Sequence, residues 1–247
     1  MKLRLNLIAL LCFVSPFIFG NEWIEKAKNA YDKGDYKTAI ENYEKIIANG
    51  ESSSLLYYNL ANAYFKNNQI GKAIYQYHLA HKLDPADKDI KHNLTIVSKK
   101  TKDQIENKEN YFVKNIESGV LTAYSLNGWA WSSIISLSFS LVFFIVFLIN
   151  DNFKKLFFWL GAIHVLIFAG SLVIGFAALS QVTNKNNAIV LSSEVSVVNS
   201  PTEDAKEQFK LHEGTKVTVL ESNSKWTSIQ LENGNEGWLQ TNHLGLF

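Results

Sequence analysis

The residues that could carry out chemistry are few and scattered. The chain has six histidines and one cysteine, Cys12, so an intramolecular disulfide or a multi-cysteine metal site is excluded. His78 and His81 are three positions apart and could share a metal on one helix face, but no carboxylate or cysteine accompanies them in a ligand pattern. We therefore interpret both histidines as exposed helix positions and predict no metal site and no cofactor.

Motifs that position groups for catalysis are also missing from the sequence. We find no glycine-rich phosphate loop, no serine elbow and no spaced carboxylate pair in a recognisable strand or helix context. The sequence therefore predicts no catalytic residues, and we expect a protein that is not an enzyme. The enzymatic alternative would require a polar cluster in a cleft that only the folded chain brings together.

The charge of the chain is balanced overall and uneven locally. Its 24 basic and 23 acidic residues give a net charge of +1, which provides no general attraction for nucleic acid. Residues 188–247 contain four lysines and eight acidic residues, a net charge of −4. Electrostatics therefore do not favour binding of an anionic polymer by this last segment.

Residues 1–20 have the pattern of a signal peptide. Lys2 and Arg4 precede an apolar run, residues 5–19, and the small Gly20 follows it. Cleavage after Gly20 is our prediction. Ile18 is larger than signal peptidases prefer two positions earlier, so an uncleaved anchor stays open.

Apolar and small residues recur at an interval of 34 in the next segment, residues 21–85. The recurring pairs are Trp23/Tyr57, Ala27/Ala61, Tyr31/Phe65, Gly34/Asn68, Tyr36/Ile70, Ala39/Ala73, Ile40/Ile74, Tyr43/Tyr77 and Ile46/Ala80. A fixed interval of this length marks a repeated supersecondary unit, and steps of three and four within each unit indicate helices. We predict two antiparallel helices per unit, a capping helix at residues 86–109 and a linker at 110–128.

These residues resemble the tetratricopeptide repeat, which binds partners in a groove lined by the first helix of each unit. The register predicts groove positions at Lys28, Tyr31, Tyr58, Asn59, Asn62, Phe65 and Lys66. Asn59 matches the repeats that clamp a carboxylate, but Ile24 and Asp89 stand where cations are needed. The resemblance thus implies an extended peptide or a partner protein as ligand, with a purely structural spacer as the alternative.

Two long apolar runs, residues 129–149 and 156–178, are separated by a loop at residues 150–155. At about 1.5 Å per residue, each run is long enough to span the roughly 30 Å hydrocarbon layer as a helix. Lys154 and Lys155 in the loop favour a cytoplasmic position for it. We therefore predict a two-pass protein of the bacterial inner membrane with both terminal segments in the periplasm.

Small and polar residues form a stripe on each predicted membrane helix. They are Ser132, Ser136 and Ser140 on the first helix and His164, Ser171, Gly175 and Ala178 on the second. Such stripes allow close packing and hydrogen bonding between membrane helices. An ionisable group in a membrane can also mark a transport path, but a neutral histidine bonded to a serine explains His164 without one.

After a linker, residues 179–187, the pattern changes to short stretches with the period of two that is typical of strands. The pair Asn233 and Gly234 predicts a two-residue hairpin with a positive φ at both positions. Residues 188–247 resemble a bacterial SH3 domain, which implies a small β-barrel. Trp226 and Trp238 are its candidate ligand-binding residues, with core packing the alternative for at least one of them.

The order of the parts resembles the BatE family of the bacterial aerotolerance operon, and this resemblance covers nearly the whole chain. The fold class is then multidomain: an α-helical tetratricopeptide solenoid, a two-helix transmembrane hairpin and an SH3-like β-barrel. The family implies a membrane-anchored scaffold acting with sibling Bat proteins that carry von Willebrand A domains. The alternative is an envelope sensor or anchor whose SH3-like domain binds peptidoglycan.

Overall fold

The structure, a computed structural model, describes residues 17–105, 119–121, 123–183 and 186–247. Residues 1–16 of the predicted signal peptide lie outside this part, as do residues 106–118 of the predicted capping helix and linker. The described helices are α1 (Phe17–Asp32), α2 (Tyr36–Ala48), α3 (Ser54–Lys66), α4 (Ile70–Leu83), α5 (Lys88–Ser98), α6 (Leu126–Ile149) and α7 (Lys154–Thr183). The strands are β1 (Asn187–Val190), β2 (Glu194–Val198), β3 (Glu207–His212), β4 (Lys216–Ser222), β5 (Trp226–Gln230), β6 (Glu236–Gln240) and β7 (Leu244–Leu246).

The recurrence in the sequence is visible in the helices themselves. Helices α2 and α4 begin one repeat interval apart, and so do α3 and α5. The turn inside each helix pair contains one residue in the left-handed region, Gly34 with a φ of +79° and Asn68 with a φ of +59°. Glycine and asparagine tolerate that conformation best, so the two units turn at equivalent places with the residues suited to it.

The core of the repeats contains the recurring pairs. Ala39 and Ala73 have no exposed surface, and Tyr43 and Tyr77 are 3% and 1% exposed. Because an alanine has almost no side chain, the second helix of each unit can approach the first closely. Tyr77 contacts Tyr58 and Asn62 on the first helix of its own unit.

Helix α5 is shorter than the predicted capping helix. It begins after the N-cap Asp87, whose carboxylate accepts hydrogen bonds from the backbone N–H groups of Asp89 and Ile90, and it ends at Ser98. Ile90 and Val97 are buried on its inner face. The next residues, 101–105, are not helical, because they turn toward the C-terminal sheet.

Helices α6 and α7 form an antiparallel hairpin, and both are long and apolar enough to cross a membrane. The outward-facing apolar side chains are exposed; on α7, Leu166 is 73% exposed and Val173 is 70% exposed. Each helix extends into a predicted linker, since α6 begins at Leu126 and α7 continues to Thr183. The Ser125 hydroxyl caps α6 by accepting the N–H of Gly128, which explains the earlier start.

The C-terminal strands form one antiparallel sheet in the order β3-β2-β6-β5-β4-β1-β7. β3 and β7 lie at its two edges and do not pair with each other, so the sheet is open rather than a closed barrel. Its core contains Val197, Ile229 and Leu239, none of which is exposed. A Cβ added at Gly237 would lie 2.4 Å from the Val197 Cγ1, so glycine is needed where β2 and β6 approach each other.

The turn between β5 and β6 differs from the predicted two-residue hairpin. Only Gly234 has a positive φ, at +88°. Its N–H donates to the Leu231 carbonyl, and the N–H of Leu231 donates to the Asn235 carbonyl. This is a three-residue loop closed by a left-handed glycine. The predicted positive φ at Asn233 was wrong. Asn233 keeps an ordinary φ, and its carboxamide oxygen accepts the N–H of Asn235.

Candidate protein-binding surface

The predicted groove residues lie on the first helix of each repeat. Lys28 and Tyr31 are on α1, and the remaining five are on α3. Lys28 is exposed and forms a 3.9 Å ion pair with Glu25. Tyr31 is partly buried, with its ring edge-on to that of Tyr36 at 5.4 Å. Burial raises the pKa of the Tyr31 hydroxyl, with neighbouring tyrosines adding to the effect, so this group is a neutral donor at physiological pH.

Two of the predicted groove residues are used for packing inside the helical array. The Asn93 side-chain amide on α5 donates to the Tyr58 hydroxyl at 2.9 Å. The Tyr77 hydroxyl donates to the Asn62 carboxamide oxygen at 2.5 Å, and the rings of Tyr58 and Tyr77 are edge-on at 5.9 Å. Tyr58 and Asn62 therefore hold α5 and α4 in place.

Three further residues of the predicted groove set are accessible. Lys66 is exposed, and Asn59 and Phe65 are partly exposed. The ammonium group of Lys100, just beyond α5, lies 5.7 Å from the centre of the Phe65 ring. An amide, two cationic groups and an aromatic ring are therefore accessible near the end of α3.

The two histidines on α4 are partly buried, contrary to the sequence-based expectation that they are exposed. His78 stacks against the ring of the C-terminal residue Phe247 at 4.5 Å. Burial, with a smaller effect from the charge on Lys216, lowers the pKa of His78 to about 3, and burial also lowers the pKa of His81. Among the described residues no group of three or more potential ligands is placed to hold a metal ion.

The hairpin helices meet through hydroxyl groups. The hydroxyls of Ser133 and Ser171 are 2.7 Å apart. Ser136 donates to the backbone carbonyl of His164 at 2.8 Å and lies 3.3 Å from the Nδ1 of the same residue. Ser140 approaches the Gly161 carbonyl at 3.4 Å.

The predicted stripe on α6 was thus wrong at one position. Ser133, not Ser132, is buried in the helix contact, because the contact follows a spacing of three and four rather than four and four. On α7, Ala178 is 5% exposed, and a Cβ added at Gly175 would lie 3.5 Å from the Trp129 Cβ. Small residues therefore line the contact along with the hydroxyl groups.

Trp226 and Trp238 lie on one face of the C-terminal sheet. Trp238 is paired directly with Ser228, two positions after Trp226, so the two indoles are diagonal neighbours. Ile229 and Leu239 point to the opposite, core face, because side chains alternate along a strand. Trp226 is 9% exposed and Trp238 is partly exposed. Neither belongs to the central core of the sheet.

Sequence reasoning missed a contact between the helical array and the C-terminal sheet. The Asp103 carboxylate accepts hydrogen bonds from the His212 N–H at 2.7 Å, the His212 Nδ1 at 2.8 Å and the Thr215 hydroxyl at 2.7 Å. Burial alone raises the pKa of Asp103, but these hydrogen bonds outweigh it and lower the pKa. The residues around Asp103 are mostly charged, as on a solvent-exposed helix face. No pattern in this stretch of sequence indicates a contact with the distant β3–β4 turn.

Comparison with known protein families supports the repeat assignment. Residues 54–87 match the family model of the tetratricopeptide repeat; they comprise α3, α4 and the turn before α5. No curated protein matches the chain. The chain therefore contains a tetratricopeptide repeat, and the repeat indicates a role in protein interaction.

Proposed function

We propose that the protein is a membrane-anchored scaffold that binds partner proteins through the groove of its helical repeats. The observation that carries the proposal is the repeat itself, folded as a stacked helical array and attached to a hairpin with a lipid-compatible surface. The accessible groove residues Lys28, Asn59, Phe65 and Lys66 are the proposed contact points. We propose no catalytic role and no cofactor for the chain.

We further propose that the helical array and the C-terminal sheet lie on the same side of the membrane, in the periplasm. The hydrogen bonds between Asp103 and the β3–β4 turn support this arrangement, because residues in contact must share a compartment. Two membrane crossings return the chain to the side from which it started. Lys154 and Lys155, at the start of α7, then lie at the cytoplasmic end of the hairpin.

The finer identity of the protein rests on the order of its parts. An SH3-like domain after two membrane helices and tetratricopeptide repeats is the arrangement of the BatE family, so partners with von Willebrand A domains and a role in oxygen or stress tolerance are proposed by analogy. The SH3 resemblance rests on the spacing of Trp226, Gly234, Gly237 and Trp238; the short antiparallel strands are compatible with it, while the open sheet departs from a closed barrel.

Peptidoglycan binding by the C-terminal sheet is the second candidate. The partly exposed indole of Trp238 favours it, since an accessible aromatic ring suits a sugar ring, whereas Trp226 is buried. The net charge of −4 over residues 188–247 disfavours an anionic wall polymer. We therefore rank this function below partner-protein binding.

Site-specific photocrosslinking in intact membranes tests the first proposal. A photoreactive amino acid at Asn59 should crosslink a protein with a von Willebrand A domain, and the same amino acid at Lys37, exposed on α2, should not. Equal crosslinking from both positions would contradict a groove-specific partner. Sedimentation of the protein with purified sacculi, lost on Trp238→Ala, would support the second candidate instead.

The topology is tested separately by cysteine labelling in a Cys12→Ser background. A membrane-impermeant maleimide added to spheroplasts should label cysteines placed at Lys37 and Asp204 and spare one at Asn152. Labelling of only one of the two terminal segments would overturn the proposed arrangement.

A further inference from the structure

One face of α4 is covered by the C-terminal sheet. Gly71, Ile74, Tyr75 and His78 follow a spacing of three and four, which places them on the same side of the helix. The contacts are the Gly71 N–H to the Glu213 carboxylate at 2.8 Å, the Tyr75 hydroxyl to the Leu246 carbonyl at 3.2 Å, and the His78 ring stacked on Phe247 at 4.5 Å. This face thus binds β7, the chain end and the β3–β4 turn.

The equivalent face of α2 has a different composition. One repeat interval earlier, the positions of Gly71, Tyr75 and His78 are occupied by Lys37, Glu41 and Glu44. All three charged residues are exposed. The positions that carry charged, exposed side chains in the first repeat are therefore occupied in the second repeat by a glycine and two ring side chains that contact the C-terminal sheet.

Three glycines allow the close approach of the two parts. A Cβ added at Gly71 would lie 2.9 Å from the Glu213 Cβ, one at Gly214 would lie 2.8 Å from the Ile74 Cδ1, and one at Gly245 would lie 2.8 Å from the Tyr75 ring. Such distances are too short for real side chains. Gly214 also has a φ of +86°, which a side chain would strain.

Strand β1 belongs to both cores at once. Ala188 and Val190 pack in the core of the sheet, while Ile189, between them, packs with the buried residues of the helical repeats. All three have no exposed surface. Because side chains alternate along a strand, β1 is a shared wall between the sheet and the helical array.

This contact lies at the C-terminal end of the described repeat helices. Helix α5 begins one repeat interval after α3, so it has the position of the first helix of a third unit. Residues 101–105, which follow it in the described part of the chain, are not helical. They instead lead Asp103 to the β3–β4 turn, and Ile105 packs against the core of the sheet.

We propose that this face of α4 is a dedicated docking surface for the chain's own C-terminal sheet, which covers the end of the described repeat helices. A helical array needs its terminal apolar face covered, and here the cover comes from a segment that follows the hairpin. The array and the sheet then form one body above the membrane, and partners are limited to the groove side of α1 and α3. The inference rests on these contacts and is independent of the proposed function.

Hydrogen–deuterium exchange on the full chain in nanodiscs tests the proposal. The triple variant Gly71→Lys, Tyr75→Glu, His78→Glu gives α4 the residues that α2 has at the equivalent positions. Because α2 is helical with these residues, we expect α4 to remain helical. We expect amides of β7 and of residues 101–105 to exchange at least about tenfold faster, with β5 and β6 unchanged. The matched control is Lys72→Thr, which gives an exposed α4 position the residue of α2 and should change nothing.

A second variant, Asp103→Asn, weakens the contact without altering any helix. It should accelerate exchange of the His212 and Thr215 amides several-fold, whereas Asp204→Asn, at an exposed carboxylate in the loop between β2 and β3, should not. Faster exchange in both variants with intact central strands supports the proposal. Unchanged protection of residues 101–105 and β7 in the triple variant would overturn it. Equal exchange rates of the His212 amide in Asp103→Asn and Asp204→Asn would also overturn it.

Discussion

The helical repeats and the apolar hairpin of α6 and α7 are both built from antiparallel helices, but their inner and outer surfaces are reversed. In the repeats, alanine, isoleucine and tyrosine are buried and lysine and glutamate are exposed. In the hairpin, Ser133, Ser136 and Ser171 are buried and leucine, valine and phenylalanine are exposed. The reversal is compatible with two different solvents: water drives apolar groups inward, whereas lipid offers no such driving force, so that small size and hydrogen bonds join helices there.

Removing a large buried side chain from the repeat core should have the largest effect. Tyr77→Ala leaves a cavity in the repeats and removes the Tyr77 hydrogen bond to the Asn62 carboxamide, and we expect it to lower the free energy of unfolding by about 3–5 kcal/mol. Leu55→Ala, at a position that is 65% exposed, should cost less than about 0.5 kcal/mol. Thermal unfolding of the full chain in detergent micelles, followed by circular dichroism, measures both. Equal effects would contradict the assignment of the repeat core.

Adding volume should give the next largest difference. Ala73→Leu inserts three carbon atoms at a position with no exposed surface, and we expect a loss of about 1–3 kcal/mol from overpacking. Ala177→Leu, on the exposed side of α7, should be neutral in micelles, while Ala178→Leu should disturb the hairpin because Ala178 is only 5% exposed. Denaturant unfolding provides the comparison. Tolerance of leucine at both 177 and 178 would mean that the hairpin is not closely packed.

Acidification should destabilise the water-facing part by a smaller amount. The pKa of His78 is about 3 in the folded chain, well below its ordinary value, so the unfolded chain binds this proton first as pH falls. The free energy of unfolding is therefore unaffected by this group above about pH 6.5. Below that pH it decreases, by about 2 kcal/mol at pH 5. Asp103 acts in the same direction at lower pH, since its folded pKa is also lowered.

The matched variant for this prediction is His78→Phe, which keeps a ring to stack on Phe247 and removes the titrating group. Melting temperatures measured between pH 7.5 and pH 5 should fall less for this variant than for the unmodified chain. An identical fall in both proteins would show that the acid sensitivity comes from other groups.

The sequence was sufficient where a residue's role is set by its near neighbours. The interval of 34 located the helix pairs, and Gly34 and Asn68 located the turns, because a helix face and a left-handed turn are local properties. The apolar runs located the hairpin for the same reason. Period-two alternation located most of the strands but did not determine whether the sheet closes, since closure depends on the pairing of its first and last strands.

The errors lie where distant segments meet. An exposed His78 is the natural expectation because nothing near it in sequence covers it; its partner, Phe247, is the last residue of the chain. Asp103 and His212 are 109 residues apart. The groove set is only partly free for the same reason, since Tyr58 and Asn62 are engaged by residues of α5 and α4. A repeat register predicts which residues face the groove, but not which of them are already hydrogen-bonded to a neighbouring helix.

The smallest expected effect concerns a single hydroxyl in the hairpin. Ser136→Ala removes the hydrogen bond to the His164 carbonyl, and we expect the hairpin to lose about 0.6–1 kcal/mol, the range typical of hydrogen bonds between membrane helices. Ser138→Ala is the control, because its hydroxyl bonds only to the Ile134 carbonyl of its own helix and should have almost no effect. Titration with sodium dodecyl sulfate in mixed micelles measures the difference. A loss as large as that of Tyr77→Ala would mean that the hairpin depends on polar contacts far more than lipid-embedded helices usually do. No loss at all would leave close packing of small residues as the main attraction between α6 and α7.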